Sequence, residues 1–328
     1  MLRIFHHNDA DGLASAYLIT KMYKMLPKIH INHKDTLEIK LYEMDYSKPF
    51  PIEDIEPNDT IFILDYSIEP EEMTDLISVV TSSRIIWIDH HKSAIDKYSK
   101  CKMDNIDGVR RTGISASALT YLYLFHDLEY IKSASLDELY HDFTLAPLYL
   151  QLINDWDVWN HNIPETKPFM IALNSILNMK VIEDLDNDAY ESTPLGNCLI
   201  GDLDRTTLLK SLIDKGNNYI EYRDSWSSQL RDKYGFETEI YDYSRNKDIK
   251  AFVLNVGNAN SEYFGDTIDK YDVIISVCFN GEFYRYSMYS NKPDIDCGKI
   301  CAYYGVDNGG GHPGAGGFIH SKMLFRKA

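Results

Sequence analysis

Asp9, Asp11, Asp65 and Asp89, together with His7, His90 and His91, are residues whose types and spacing suit metal chemistry. They fall in three clusters: His7-Asn8-Asp9-Ala10-Asp11-Gly12, then Asp65-Tyr66-Ser67, then Asp89-His90-His91. Carboxylates gathered in one pocket cannot all ionise without cations, because like charges at contact distance favour the neutral acid. These segments contain no Lys or Arg, and the nearest basic residue in sequence is Lys92. Carboxylates and imidazoles without a thiolate suit manganese, iron or zinc, and the oxygen-rich set favours manganese. Two such ions about 3.5–4 Å apart can clamp a phosphate and activate a water for in-line attack. Either motif type alone would read as a solvated turn or surface pair. Three clusters that converge make the metal reading the stronger one.

Convergence requires elements to carry the clusters. Residues 2–5, 60–64 and 84–88 are apolar or β-branched runs of strand length, and residues 13–26 and 70–80 read as helices. That alternation predicts βαβ units, a parallel sheet and an α/β fold. Each polar cluster follows one of the three runs, and ligands of open α/β sheets sit beyond the carboxyl ends of the strands. Residues 115–231 read as mainly helical, with Ser115 capping a helix over 116–125 and a second apolar stripe over 144–153. Pro164, Pro168 and Pro194 predict irregular structure over 160–200. A polar helix is expected over 206–233, with Gly235 as its stop. Strand-like runs follow at 239–243, 250–256, 272–279 and 282–289. A helix at 297–304, a glycine-rich segment at 309–317 and a last strand complete the chain.

Composition narrows the function. The 328 residues carry 33 basic and 50 acidic side chains, a net charge of −17 with a pI near 5.0. Lys and Arg supply most affinity for a phosphate backbone, so this balance disfavours a general binder of long DNA or RNA. Cys101, Cys198, Cys278, Cys297 and Cys301 form no C-x-x-C pair, which argues against a zinc site and a disulfide framework. The opening residues lack a signal-peptide core, and apolar stretches such as 273–279 are too short to span a membrane. A soluble, cytoplasmic protein with no membrane partner is expected.

The three clusters resemble the first three motifs of the DHH phosphoesterase superfamily. Asp155, in Ile153-Asn154-Asp155-Trp156-Asp157-Val158-Trp159, matches the fourth motif. Gly309-Gly310-Gly311-His312-Pro313-Gly314-Ala315-Gly316-Gly317-Phe318 is similar to the signature of the DHH-associated substrate domain. Within the superfamily the chain looks closest to oligoribonucleases of the nanoRNase B type, through Trp87-Ile88-Asp89-His90-His91-Lys92, Gly113-Ile114-Ser115-Ala116 and the Asp-x-Asp-x-Trp form of the fourth motif. The resemblance implies a catalytic domain over 1–205, a helical linker over 206–235 and a smaller mixed α/β substrate-binding domain over 236–328. It also implies two divalent cations. His7, Asp9 and Asp65 would hold the first; Asp11, Asp65, His90 and Asp155 would hold the second, with Asp65 bridging and a shared hydroxide as nucleophile. His91 would contact a phosphate oxygen, and Asp89 would orient an imidazole.

Some assignments rest on local geometry. His6 and His7 adjoin on a strand, so their side chains point to opposite faces, and spacing from Asp9 selects His7. Asp157 lies two residues beyond Asp155 and competes with it; motif alignment favours Asp155. Among the glycines of 309–317, bare N–H groups of Gly310 and Gly311 beside His312 would make a phosphate nest. Many superfamily members carry an Arg in the strand before this loop, where this chain has Tyr289. Arg285 shares a strand face with Tyr289 by parity and is the expected substitute; Tyr289 could stack on a base instead. Arg110 and Arg111 are expected to pair with surrounding acids rather than with a phosphate.

The resemblance implies hydrolysis of short oligoribonucleotides or linear dinucleotides from the 3′ end to 5′-mononucleotides. A cyclic nucleotide or cyclic dinucleotide phosphodiesterase and a 3′-phosphoadenosine phosphatase remain alternatives using the same metals. A nucleotide sensor that binds without turnover is the alternative of another class. Long duplex nucleic acid is not an expected partner, and a homodimer is left open.

Overall fold

The computed structural model describes residues 1–29, 38–47, 49–101, 106–179, 205–257, 259–305 and 308–327. Cys198, Pro194 and the part of the expected irregular stretch from 180 to 200 lie outside the described residues. Chain contacts divide the molecule into two units, Met1–Asn217 and Asn218–Ala328.

In the first unit, strands β1 (Leu2–His7), β2 (Ile39–Met44), β3 (Thr60–Leu64) and β4 (Ile85–Ile88) form a sheet of order β2-β1-β3-β4. Every pairing is parallel, so the carboxyl ends of all four strands lie along one edge of the sheet. Side chains alternate between faces with period two. Leu2, Ile4, Phe62, Leu64, Ile86 and Ile88 enter one apolar cluster with residues of α1 (Ala10–Ile29), α4 (Ala116–Phe125), α7 (Leu148–Asp157) and α8 (Thr166–Met179). Phe5, Ile61, Ile63, Ile85 and Trp87 enter another with α2 (Pro70–Val79) and α3 (Lys92–Cys101). The continuous apolar reading of β3 and β4 reflects this burial on both faces. The sequence reading did not anticipate β2. Its Lys40 and Glu43 break the apolar run, as a half-exposed edge strand permits.

Helix starts follow local chemistry. Pro70 opens α2 inside a capping box made by Glu69 and Glu72. The Ser115 side chain accepts from the Ala118 N–H and starts α4 where expected. The stripe expected over 144–153 is displaced, because Pro147 precedes the first turn of α7. Irregular structure expected over 160–200 gives way to α8 at 166–179. Pro164 lies before that helix, and Pro168 falls in its first turn, where no N–H is required. Short helices α5 (Leu128–Ser133) and α6 (Leu136–Phe143) complete the connection. The division between the units falls within the long polar helix α9 (Arg205–Tyr234), and Gly235 begins the next strand.

The second unit contains six strands: β5 (Gly235–Asp242), β6 (Lys247–Leu254), β7 (Val273–Phe279), β8 (Tyr284–Tyr289), β9 (Gly310–His312) and β10 (Ala315–His320). Their order is β5-β6-β7-β8-β10-β9, with only β6 and β7 parallel. Between them lie α10 (Thr267–Lys270) and α11 (Cys297–Gly305). The glycine-rich segment is therefore a tight hairpin, not a loop. A Cβ on Gly309 would stand 2.0 Å from the Cys301 carbonyl oxygen, and Gly311 adopts φ +143°. Close approach to α11 accounts for Gly309, and the positive φ with close approach to Ala315 and Gly316 of β10 accounts for Gly311. Cys297 and Cys301 are buried free thiols, and no helix among the described residues is long and apolar enough to cross a membrane.

Candidate metal centre

The parallel sheet delivers the three clusters to one edge. After β1, Asp9 Oδ1 accepts the N–H groups of Asp11 and Gly12 and so fixes the first turn of α1. Asp9 Oδ2 meets His7 Nδ1 at 2.8 Å. Asp11 points the other way along that turn, and its two oxygens accept the N–H groups of Ala116 and Ser117 at 2.8 and 3.0 Å. The start of α4 thus holds an anion at its positive end. His6 is fully buried, as strand alternation requires, and burial lowers its pKa to about 4. After β4, Asp89 Oδ1 accepts from the backbone N–H of His90 and His91 and lies 2.7 Å from His91 Nδ1. Asp89 is therefore placed where it can orient the His91 ring.

Asp65 is the centre of the group. It follows β3 directly, with φ +53°, a left-handed conformation unusual for a residue other than glycine. It is 1 % exposed, yet neither carboxylate oxygen accepts a hydrogen bond among the described residues. His90 Nε2 lies 3.2 Å from Oδ1, and His7 Nδ1 lies 3.8 Å from Oδ2. Burial first, then Asp11, Asp9, Asp157 and Asp89, push its pKa well above the carboxylate range. Orphaned buried oxygens in a strained backbone mark a site built to receive a ligand.

Ligand atoms from His7, Asp9 and Asp65 lie within 4.8 Å of one another; so do those from Asp11, His90 and Asp157, and those from Asp65, His90 and His91. A donor set of aspartate oxygens and imidazole nitrogens with unmet acceptors fits divalent cations. Burial would raise Asp9, but the hydrogen bond from His7 and the N–H of Gly12 outweigh it and hold the pKa at about 2. His7 and His91 are raised by their bonds to Asp9 and Asp89.

One assignment is corrected. Asp155 does not join the cluster, and Asp157 stands there in its place. Both oxygens of Asp155 are spent on the chain after α7. Oδ1 accepts from the Asn162 N–H, and Oδ2 accepts from the Ile163 N–H and the Thr166 hydroxyl. Asp157 Oδ2 is buried, accepts no hydrogen bond, and lies 3.2 Å from His90 Nε2. Burial, then Asp11 and Asp9, push Asp157 up to about 9. Helical phase in the structure agrees with this choice. Asn154 binds the Ser115 N–H at the start of α4, and Asp157 lies one turn further on that face.

Other expected residues fall elsewhere. Arg110 donates to the carbonyls of Trp87, Ile106 and Asp107, and Arg111 donates to the Ile131 carbonyl. In the second unit, Tyr289 pairs with Ala315, which pairs with His312. Arg285 pairs with Ile319, four residues along β8 and roughly 13 Å from that row. The structure thus sets Tyr289, and not Arg285, in the cross-strand row of His312, with Ala315 of β10 between them. Gly310, Gly311 and His312 form strand β9, with His312 exposed. This extended strand replaces the loop nest expected of the glycines.

No family model matches the chain. Uncharacterized protein R106 of Acanthamoeba polyphaga mimivirus is 23% identical over 334 residues, covering 97% of this chain and 67% of that protein. Among solved structures, the pGpG-specific phosphodiesterase PggH from Vibrio cholerae superposes with a TM-score of 0.52 at 10% identity, over 98% of this chain and 94% of its own. The DHH domain of a member of the s1p family of ribosomal proteins gives 0.50 at 14% identity, over 97% and 82%. The chain thus shares the fold of the PggH phosphodiesterase and of that DHH domain.

Proposed function

We propose that this chain is a phosphodiesterase of the DHH superfamily that uses two divalent cations, manganese by preference, to cut short oligoribonucleotides or linear dinucleotides from the 3′ end into 5′-mononucleotides. The observation that carries the reading is Asp65, a buried carboxylate with both oxygens unmet between two sets of His and Asp donors. His7, Asp9 and Asp65 would hold one cation; Asp11, Asp65, His90 and Asp157 would hold the other. Bound there, the pair would neutralise phosphate charge and supply an activated water.

The remaining residues shape the reaction. His91 is partly exposed at the rim, and its bond to Asp89 favours the protonated ring, which can donate to a phosphate oxygen and stabilise charge developing on it. Asp89 keeps that ring in one orientation. In the second unit, His312 and Tyr289 would contact the substrate. A pGpG-specific phosphodiesterase shares the fold, and pGpG is a linear dinucleotide. Together with the acidic surface, this favours small substrates over long ones.

The test is a product profile with Mn²⁺ on labelled di- to pentaribonucleotides, short DNA and cyclic dinucleotides. Mononucleotides released from linear RNA are expected. Turnover of cyclic dinucleotides alone would move the chain to that class, and tight binding without turnover would make it a sensor.

A further inference from the structure

The strongest unassigned feature beside the metal centre is an aromatic cluster at the end of α7. Trp156, Trp159 and His161 pack ring against ring, with centroids 5.8 Å apart for Trp156–Trp159, 5.2 Å for Trp156–His161 and 4.4 Å for Trp159–His161. The His161 ring stands nearly edge-on to Trp159, at 83°. Trp159 is nevertheless 73% exposed, so a wide area of the indole is open. Large aromatic side chains normally contribute by burial, and this one does not.

Its backbone is equally unusual. Trp159 has φ +59° and His161 has φ +50°. The residue just past a helix often takes this left-handed form, but glycine or asparagine usually fills it. Asp155 enforces the turn: its carbonyl accepts the N–H groups of Asn160 and His161, and its carboxylate binds the next two N–H groups. The chain thus holds a costly conformation that displays an indole beside the candidate site. Trp156 and Asp157 line one small cavity with Asp9 and Asp11, which ties the aromatic cluster directly to the proposed ligands.

We propose that Trp159, braced by His161 and Trp156, is a stacking platform for a nucleobase of the substrate next to the scissile phosphate. The proposal rests on the phosphodiesterase reading for its substrate class. Stacking is sequence-tolerant because every base offers a π face. The platform therefore selects nucleotides over other phosphodiesters without selecting among bases. Asp155 is a positioning residue for it, acting through the turn.

Two measurements test it. The first compares kcat/KM for the dinucleotide ApA with that for a base-free ribose phosphodiester of the same length, in wild type, Trp159→Ala, Trp159→Phe and His161→Ala. The ratio is expected to fall about tenfold in Trp159→Ala, mostly through KM, and to recover in Trp159→Phe. An unchanged ratio, or equal losses on both esters, would overturn the proposal. The second titrates a non-hydrolysable methylene-phosphonate ApA analogue against intrinsic tryptophan fluorescence. Quenching that disappears in Trp159→Ala supports the platform, and quenching that persists there contradicts it. If wild type cuts neither ester, the phosphodiesterase reading fails, while the titration still decides whether Trp159 stacks on a base.

Discussion

At the scale of single residues, Asp155 and Asp157 separate structure from chemistry. Asp155 ties down three donors, and its replacement by Ala should cost about 3–5 kcal/mol, at about 1.5–3 kcal/mol per bond to a charged group with partial compensation by water. That loss should appear as a drop in Tm of roughly 10 °C. Asp157→Asn should leave the Tm of metal-free protein equal or higher, because a neutral amide of the same shape replaces a buried carboxyl whose ionisation the fold disfavours. It should nonetheless abolish manganese-dependent turnover. Thermal scans and activity on the two variants check both outcomes. The pH dependence follows from the same groups. Asp157 at about 9 and the raised Asp65 keep protons in the fold that the unfolded chain releases. Metal-free stability should therefore fall as pH rises from the carboxylate range toward about 9. His6, held near 4, acts in the opposite sense, losing stability as pH drops from 6.5 through 4. Cations bound as proposed would displace the protons on the aspartates, so the Tm gain on adding Mn²⁺ should be several degrees larger at pH 8 than at pH 5. His6 cancels from that difference, and scanning fluorimetry at the two pH values measures it. The acidic and imidazole residues themselves were legible in sequence because they cluster. The choice between Asp155 and Asp157 was not, since it depends on where α7 stops and which N–H groups the next turn leaves unmet.

At the scale of elements, the parallel sheet does the gathering. β1, β3 and β4 could be read as apolar runs followed by polar clusters, and the structure places all three ends on one edge. The edge strand β2 escaped because Lys40 and Glu43 dilute its pattern, and α8 escaped because Pro168 sits in its first turn, where a helix tolerates it. The hairpin β9–β10 was hidden by its glycines, which suggest a loop until their contact with α11 is seen. Gly309→Ala should destabilise the second unit by about 1–3 kcal/mol, since the added methyl meets the Cys301 carbonyl. His312→Ala, exposed on the same hairpin, should leave stability intact and raise KM for dinucleotides severalfold. Chemical denaturation and steady-state kinetics distinguish the two effects.

At the scale of the whole molecule, the proposed function makes charge the selector of substrate. A net charge of −17 would repel long polyanions yet admit a dinucleotide whose phosphate met bound cations. With Mn²⁺ at low salt, kcat/KM for RNA of two to five nucleotides should exceed that for a 20-mer by on the order of tenfold. The gap should narrow at 200 mM KCl, where screening acts within about 10 Å. The change from a parallel-sheet unit to a mixed-sheet unit was visible in the sequence as a change in strand patterning. The position of the division was not, because a single polar helix spans it.

The whole account turns on two cations sharing Asp65. Anomalous diffraction at the manganese edge, on crystals of wild type and Asp65→Asn, tests it most directly. Two ions per chain are expected in wild type, one among His7, Asp9 and Asp65 and one among Asp11, Asp65, His90 and Asp157, with both lost or severely depleted in the variant. An empty pocket, or the same two ions bound without Asp65, would contradict it.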